Sequence, residues 1–238
     1  MDRPKMIIFD YGQTLVDEEP FDGLKGTEAV LREATRLPMN VSAEVVQALA
    51  DELNKEIGRA SLDSASYLEV HNHIFQNYLY DYFGVEFTKS SEEIERIFEN
   101  AATVAKPTKH IQEFLQFLQE INIRTGVISN MPFSGRLLTE RIYRYIPSHH
   151  FDFIIASSEY IFRKPHWRIF ELGLRKAGLN PSEVWYCGDN AVCDVDGAAD
   201  AGIFSVWYKG ALRGNDYPLP QREALQIKDW NELYELLA

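Results

Sequence analysis

The sequence has few cysteines and a shortage of positive charge, and each shortage excludes a class of function. Its two cysteines, Cys187 and Cys193, form neither a CxxC pair nor a disulfide framework, so we expect a reducing, cytoplasmic location. Lysine and arginine number 24 against 36 aspartate and glutamate residues, which gives a formal net charge of −12. Such a surface argues against nucleic acid or an anionic membrane as a partner, although a small anion can still bind at a local site.

Long apolar runs are also missing. No run approaches the roughly 20 residues that span a bilayer. The N-terminal stretch MDRPKMIIFD holds too few apolar side chains for a signal peptide. We therefore expect neither a membrane anchor nor export.

The residues that are present predict an α/β fold. At 238 residues and 45% hydrophobic content, the chain has room for a large core and a smaller insert. Short apolar runs bounded by turn residues predict buried parallel strands, and amphipathic stretches between them predict helices. The strands are expected at residues 5–10, 124–129 and 184–189, with further candidates at 151–157 and 204–208. This alternation favours a doubly wound parallel sheet.

Residues 23–103 break the alternation, because they contain four helical patterns and no convincing strand. A suitable N-cap, Ser42, precedes the second pattern. The patterns cover residues 26–37, 42–61, 65–83 and 90–103. We therefore expect a core domain made of residues 1–20 and 104–238 and a helical insert made of residues 21–103.

Polar residues end the predicted strands, where parallel sheets bind their ligands. Three carboxylates that converge there would repel one another unless a cation lay between them, and a few hard oxygen ligands suit Mg²⁺. Ser129 can donate a hydrogen bond to an anion, Lys164 can neutralise one, and Asp10 can attack phosphorus or carbon as a nucleophile. The full set of candidates is Asp10, Ser129, Asn130, Lys164, Asp189 and Asp194.

Four segments resemble, in order and spacing, the signature motifs of the haloacid dehalogenase superfamily of hydrolases: FDYGQTL, VISN, RKP and GDNAVCDVDGAADAG. The resemblance covers essentially the whole chain, and the helical insert lies where subfamily I members carry a helical cap. It implies a Rossmann-like core, a mobile cap and a small phosphorylated metabolite as substrate. The sequence does not distinguish a monomer from a homodimer.

The same resemblance implies a role for each candidate. Asp10 would be the nucleophile that forms an aspartyl-phosphate, and Lys164 would pair with Asp10 and with the phosphate. Ser129 and Asn130 would bind the transferring phosphoryl group. The implied ligands of Mg²⁺ are Asp10, the backbone carbonyl of Gly12, Asp189 and Asp194.

Gly12 departs from the pattern of the family's phosphatases, which carry an aspartate two residues after the nucleophile. That aspartate protonates the leaving group and then activates the water that cleaves the intermediate. General acid–base help of this kind contributes typically about 10²–10⁴-fold in rate. A glycine cannot move a proton, so the resemblance implies metal and phosphate binding with weakened acid–base catalysis.

Three functions stay open at this point. The first is a phosphatase that uses good leaving groups or borrows another proton carrier, for which Asp17, Glu18 and Glu19 lie just beyond the turn. The second is a protein that binds a ligand or partner without turnover.

The third is a hydrolase similar to phosphonoacetaldehyde hydrolases, which lack the same aspartate and form a Schiff base with a cap lysine. The cap candidates are Lys25, Lys55 and Lys89. Dehalogenases proper are disfavoured, because they work without a metal and lack the paired acids that Asp189 and Asp194 provide.

Overall fold

The centre of the fold is a parallel β-sheet. The computed structural model describes residues 3–59, 67–213 and 218–238. Its strands are β1 (Met6–Phe9), β2 (Val16–Glu18), β3 (Ala105–Pro107), β4 (Arg124–Ser129), β5 (Ile154–Ala156), β6 (Val184–Gly188), β7 (Phe204–Tyr208) and β8 (Leu225–Ile227). Six of them form one parallel sheet in the spatial order β5-β4-β1-β6-β7-β8. The predicted doubly wound α/β class is confirmed, and all five predicted strands occur in this sheet.

Helices cover both faces of the sheet because side chains alternate along each strand. In β1, Ile7 and Phe9 belong to one apolar cluster, whereas Met6 and Ile8 belong to another on the opposite face. The described helices are α1 (Gly23–Leu31), α2 (Ala43–Glu56), α3 (Asn72–Phe83), α4 (Ser91–Ala102), α5 (Ile111–Glu120), α6 (Gly135–Tyr145), α7 (Trp167–Ala177), α8 (Gly197–Asp200) and α9 (Trp230–Leu237). The first cluster includes residues of α5, α6 and α9, and the second includes residues of α7 and α8. Among these helices, none combines the length and apolar character that a bilayer crossing needs.

The helical insert contains α1 to α4 and has an apolar cluster of its own. Val30, Val46, Leu79 and Ile94 contribute to it, one from each helix in turn. Ser42 caps α2 as predicted, with its hydroxyl accepting a hydrogen bond from the amide of Val45. Whether the insert acts as a mobile cap stays a prediction.

Helix boundaries in the insert differ from the prediction. The first helix covers 23–31 instead of 26–37, because Asp22 accepts a hydrogen bond from the amide of Lys25 and caps it earlier. The second ends at Glu56, and residues 60 and 61 of that prediction lie outside the described part of the chain. The third begins at Asn72, where His71 is the N-cap, so residues 67–71 are not helical; residues 65 and 66 lie outside the described part.

Three short strands escaped prediction. β2 and β3 pair antiparallel, with Val16 opposite Pro107 and Glu18 opposite Ala105. This small sheet joins the chain just before and just after the helical insert. Three-residue strands that lie outside a longer apolar run have no readable period, and the partners lie far apart in sequence, so the pattern could not reveal them. The same reason applies to β8.

Candidate active site

Sheet order brings the predicted site residues to one edge. β1 lies between β4 and β6, and Phe9 pairs with Val127 on one side and Cys187 on the other. The residues that follow these strands therefore end side by side at the switch in strand order. A cavity of about 670 Å³ opens there. Its lining includes every residue assigned to the site from the sequence, namely Asp10, Gly12, Ser129, Asn130, Lys164, Asp189 and Asp194.

Lys164 lies between two carboxylates. Its Nζ donates to Oδ1 of Asp10 at 2.6 Å and to Oδ1 of Asp194 at 2.5 Å, and the side chain is 2% exposed. Burial works to lower the pKa of Lys164, but the charges of Asp10 and Asp194 together outweigh it and hold that pKa above its usual value. Lys164 is therefore a permanent positive charge beside the nucleophile candidate.

Two further side chains fix the position of Lys164. The carboxamide of Asn130 donates to the Lys164 carbonyl at 2.9 Å and accepts from the Lys164 amide at 2.7 Å. The hydroxyl of Tyr186 accepts from Lys164 Nζ at 2.8 Å and donates to the carbonyl of Ile128 at 2.9 Å. Sequence reasoning missed Tyr186, because a tyrosine inside an apolar strand is ordinarily a packing residue.

Three carboxylates are crowded enough to hold a cation. One oxygen from each of Asp10, Asp189 and Asp194 lies within 4.8 Å of the other two. Burial raises the pKa of Asp10 to about 6 against the opposing charge of Lys164. Burial also raises the pKa of Asp189 well above its usual value, with repulsion from Asp194 and Asp10 acting in the same direction. A divalent cation would relieve this repulsion, and an all-oxygen donor set fits Mg²⁺.

The loop after β6 aims Asp194 at this point. A wide helical turn over Ala191–Asp196 begins at Asn190, whose side chain accepts from the amides of Val192 and Cys193. The amide of Asn190 in turn donates to Oδ2 of Asp194 at 2.9 Å. Both oxygens of Asp194 are thus held, one by the loop and one by Lys164.

Glu18 lies where a side chain at position 12 would be. A Cβ added to Gly12 would come within 2.9 Å of Oε2 of Glu18. The other oxygen of Glu18 accepts from Arg141 at 2.8 Å, and Arg141 also donates to the hydroxyl of Tyr11 at 2.9 Å. Glu99 forms a second ion pair with Arg141, which is 2% exposed. A buried arginine in α6 thus holds two acids that line the cavity.

The three lysines of the insert lie elsewhere. Within the described residues, Lys164 is the sole lysine of the cavity lining. Lys25 pairs with Asp22 at 2.8 Å, and Lys89 pairs with Glu33 at 3.3 Å. Lys55, in the last turn of α2, is also absent from the lining.

Comparison with known protein families gives a match over most of the chain. A family model described as haloacid dehalogenase-like hydrolase matches residues 4–202. A glyceraldehyde 3-phosphate phosphatase from Methanocaldococcus jannaschii is 24% identical over 204 residues, which are 85% of this chain and 83% of that protein. A phosphoserine phosphatase from Thermus thermophilus is 39% identical over 88 residues, or 37% of this chain and 34% of that protein. A glyceraldehyde 3-phosphate phosphatase from Methanothermobacter thermautotrophicus is 30% identical over 56% of this chain and 59% of its own length.

Solved structures share the fold along nearly the whole chain. A 2-haloacid dehalogenase from Pseudomonas syringae has a TM-score of 0.64 at 22% identity and covers 98% of both chains. A phosphatase from Thermococcus onnurineus has the same TM-score at 16% identity and covers 98% of this chain and 97% of its own. At these identities the likeness shows the fold alone, because one fold hosts many chemistries.

Proposed function

The chain belongs to the haloacid dehalogenase-like hydrolase family, and we propose that it is a Mg²⁺-dependent phosphatase that acts on a small phosphorylated metabolite through an aspartyl-phosphate. The observation that carries the proposal is the Asp10–Lys164–Asp194 array, with distances of 2.6 and 2.5 Å, in the lining of a cavity. Relatives named as phosphatases support the reaction class.

In the proposed reaction Asp10 is the nucleophile. One of its oxygens is held by Lys164, and the carboxylate borders the cavity, so it is fixed for attack on a bound phosphoryl group. The new bond joins an Asp10 oxygen to phosphorus while the ester bond to the leaving oxygen breaks. Water then hydrolyses the aspartyl-phosphate and releases phosphate. Lys164 and the hydroxyl of Ser129, both in the lining, would stabilise the charge on the phosphoryl oxygens.

The donor set at the strand ends suits the metal that the family implies. Asp10, Asp189 and Asp194 would hold Mg²⁺, together with the carbonyl of Gly12. When bound, the ion supplies positive charge that offsets the repulsion between an anionic nucleophile and an anionic substrate.

Glu18 is the proposed proton carrier in place of the missing aspartate. Its carboxyl group fills the space beside Gly12 and lines the cavity. Burial raises the pKa of Glu18, with Arg141 opposing, so this carboxyl keeps its proton to higher pH than an exposed glutamate. A protonated carboxyl can give that proton to a leaving alkoxide and can then accept one from the attacking water.

The neighbouring acids are less suited to this role. The side chain of Asp17 pairs with Arg213 at 2.7 Å and is absent from the cavity lining. Glu19 borders the cavity, but its side chain is 61% exposed. Alternation along β2 places Asp17 and Glu18 on opposite faces of the strand, which explains why one acid reaches the site and its neighbour does not.

A Schiff-base hydrolase is disfavoured, since Lys25, Lys55 and Lys89 are all absent from the cavity lining. A binding protein without turnover is the competing function, and the missing aspartate at Gly12 is the observation that favours it. One assay distinguishes the phosphatase from the binding protein, because only the phosphatase turns over a phosphorylated substrate.

The test is turnover of p-nitrophenyl phosphate and acetyl phosphate with Mg²⁺ by the purified chain. We expect hydrolysis that is lost in Asp10→Asn and kept in Asp17→Asn, with both variants folded by circular dichroism. No turnover of either compound by the unaltered protein would favour the binding function. Equal turnover by Asp10→Asn would remove Asp10 from the nucleophile role.

A further inference from the structure

The carboxamide side chains that border the cavity include Gln13 from the loop after β1, and Asn72 and Gln76 from α3. We propose that this carboxamide subsite binds the leaving group of the substrate and selects a neutral, hydroxylated one such as a polyol or a sugar. The proposal rests on the proposed phosphatase function and adds the substrate class.

Burial of unpartnered polar atoms is the first observation. Asn72 is 7% exposed and Gln76 is 6% exposed. Nδ2 of Asn72 and Oε1 of Gln76 have no hydrogen-bond partner among the described residues, and neither has Oε1 of Gln13. Buried polar groups are costly to leave unpaired, so a partner from a bound ligand is expected.

The chemistry of these atoms favours hydroxyl groups. Asn72 and Gln76 are four residues apart in α3 and therefore lie on the same face of the helix. A carboxamide offers a donor and an acceptor, and a hydroxyl group does the same. Phe75 and Leu79 of the same helix also border the cavity and can pack against the C–H surface of such a group.

The charges of the lining disfavour a carboxylated leaving group. Arg59 and Arg163 pair with Glu69 at 3.4 and 3.9 Å, and Arg141 pairs with Glu18 at 2.8 Å. Arg213 pairs with Asp17 at 2.7 Å. Each arginine of the lining therefore has a carboxylate within 4 Å, with Glu69 shared between Arg59 and Arg163. A second negative charge on the substrate would also meet the acids Glu18, Glu99 and Asp51, which border the same cavity.

The subsite adjoins the phosphate site. The amide of Asn72 donates to the carbonyl of Pro132 at 2.8 Å, and Pro132 lies three residues after Ser129. The N-terminus of α3 is thus tied to the loop that would hold the phosphoryl group. With about 670 Å³, the cavity can hold a sugar phosphate in one piece.

The test measures binding without turnover, so that it is independent of catalysis. In an Asp10→Asn background with Mg²⁺, isothermal titration compares glycerol phosphate and hexose phosphates with phosphoglycolate, a nucleoside monophosphate and inorganic phosphate. We expect the esters whose leaving groups are neutral and hydroxylated to bind about 10-fold more tightly than phosphoglycolate and inorganic phosphate.

Substitution of Asn72→Leu with Gln76→Met should remove this preference. We expect the affinity for the hydroxylated esters to fall about 10-fold, while that for inorganic phosphate changes little. Asn77→Leu, on the exposed side of the same helix, is the matched control and should leave both unchanged.

Three outcomes would overturn the proposal: tighter binding of phosphoglycolate, a nucleoside monophosphate bound more tightly than every polyol ester, or an unchanged preference in the double variant. Failure of the phosphatase function is a separate result. It would appear as polyol esters that bind to the unaltered protein with the expected preference but are not hydrolysed.

Discussion

The carboxyl group of Glu18 fills the space beside Gly12, since a side chain begun at Gly12 would come within 2.9 Å of Oε2 of Glu18. The relationship joins a residue of the loop after β1 to one of the short strand β2, six positions later. Arg141 fixes it from α6 by donating to the other oxygen of Glu18 at 2.8 Å. Glu18 therefore supplies an acid beside the position at which the family resemblance implies an aspartate, although it enters from a different position in the chain.

Replacing Glu18 by glutamine should slow the reaction most for substrates whose leaving group needs a proton. We expect kcat for an alkyl phosphate to fall about 10²-fold or more in Glu18→Gln, because the leaving alkoxide would depart unprotonated. Turnover of p-nitrophenyl phosphate, whose leaving group needs little protonation, should fall far less. Steady-state kinetics with the two esters measures this contrast.

Asp17→Asn is the matched control for this prediction, because it removes an acid from the adjacent residue on the opposite face of β2. It should leave both activities close to those of the unaltered chain. An equal loss with both esters in Glu18→Gln would show that Glu18 supports the structure and carries no proton.

Restoring the family's aspartate should fail on its own. In Gly12→Asp the new side chain would meet the carboxyl of Glu18, which Arg141 prevents from moving freely. We expect reduced activity in Gly12→Asp and recovery in Gly12→Asp with Glu18→Ala, which is a strongly non-additive pair. Steady-state kinetics with an alkyl phosphate for the unaltered chain, the two single variants and the double variant gives the double-mutant cycle that measures this non-additivity. Additive effects would show that the two side chains do not share this space.

Much of the fold could be predicted because its strands are short, apolar and bounded by turns. Residues 124–129 and 204–208 match β4 and β7 residue for residue. The order of the strands in space and the short strands β2 and β3 depend on contacts between distant parts of the chain, which no local pattern contains.

The candidate site was predictable to the extent that its residues follow a strand or precede a helix. Asp10, Lys164 and Asp194 could be named from the sequence, and they lie together. Tyr186 and Arg141 could not, because a tyrosine in an apolar strand and an arginine in an amphipathic helix are ordinarily packing and surface residues. Glu18 could be offered as one of three neighbouring acids, and the alternation of β2 was needed to select it.

Metal removal should abolish turnover, and the acids at the strand ends should control how tightly the metal binds. We expect Asp189→Asn to weaken Mg²⁺ binding by about 100-fold or more, since even the loss of a residue that orients a ligand costs about 10–100-fold. Calorimetric titration with Mg²⁺ after treatment with EDTA measures the affinity. Asp196→Asn is the control, because that carboxylate accepts from the amides of Gln221 and Arg222 and is absent from the cavity lining. Unchanged affinity in Asp189→Asn would remove Asp189 from the metal site.

The same site should bind metal poorly in acid. A carboxyl group must lose its proton to become a ligand, and burial raises the pKa of Asp10 to about 6. The affinity for Mg²⁺ should therefore be low below pH 6 and should rise as the pH increases through about 6. Titrations between pH 5 and 8 test this, and the Asp10→Asn variant should show a flatter dependence. A steep dependence that survives in Asp10→Asn would assign the proton to another group.

Arg141 should be the most sensitive residue for stability near the site, since it pairs with both Glu18 and Glu99 and is 2% exposed. Breaking a buried ion pair by removing one partner costs about 3–5 kcal/mol, and Arg141→Met would leave two carboxylates without their cation. We expect a loss of that size in the free energy of unfolding by urea. Glu99→Gln added to Arg141→Met should recover part of it, because one buried charge is then gone.

Arg144→Met, one turn further along α6, removes an exposed arginine that bonds to Asn100 and should cost far less. Equal losses in Arg141→Met and Arg144→Met would mean that Glu18 and Glu99 do not depend on Arg141, and Glu18 would then need another residue to hold it beside Gly12.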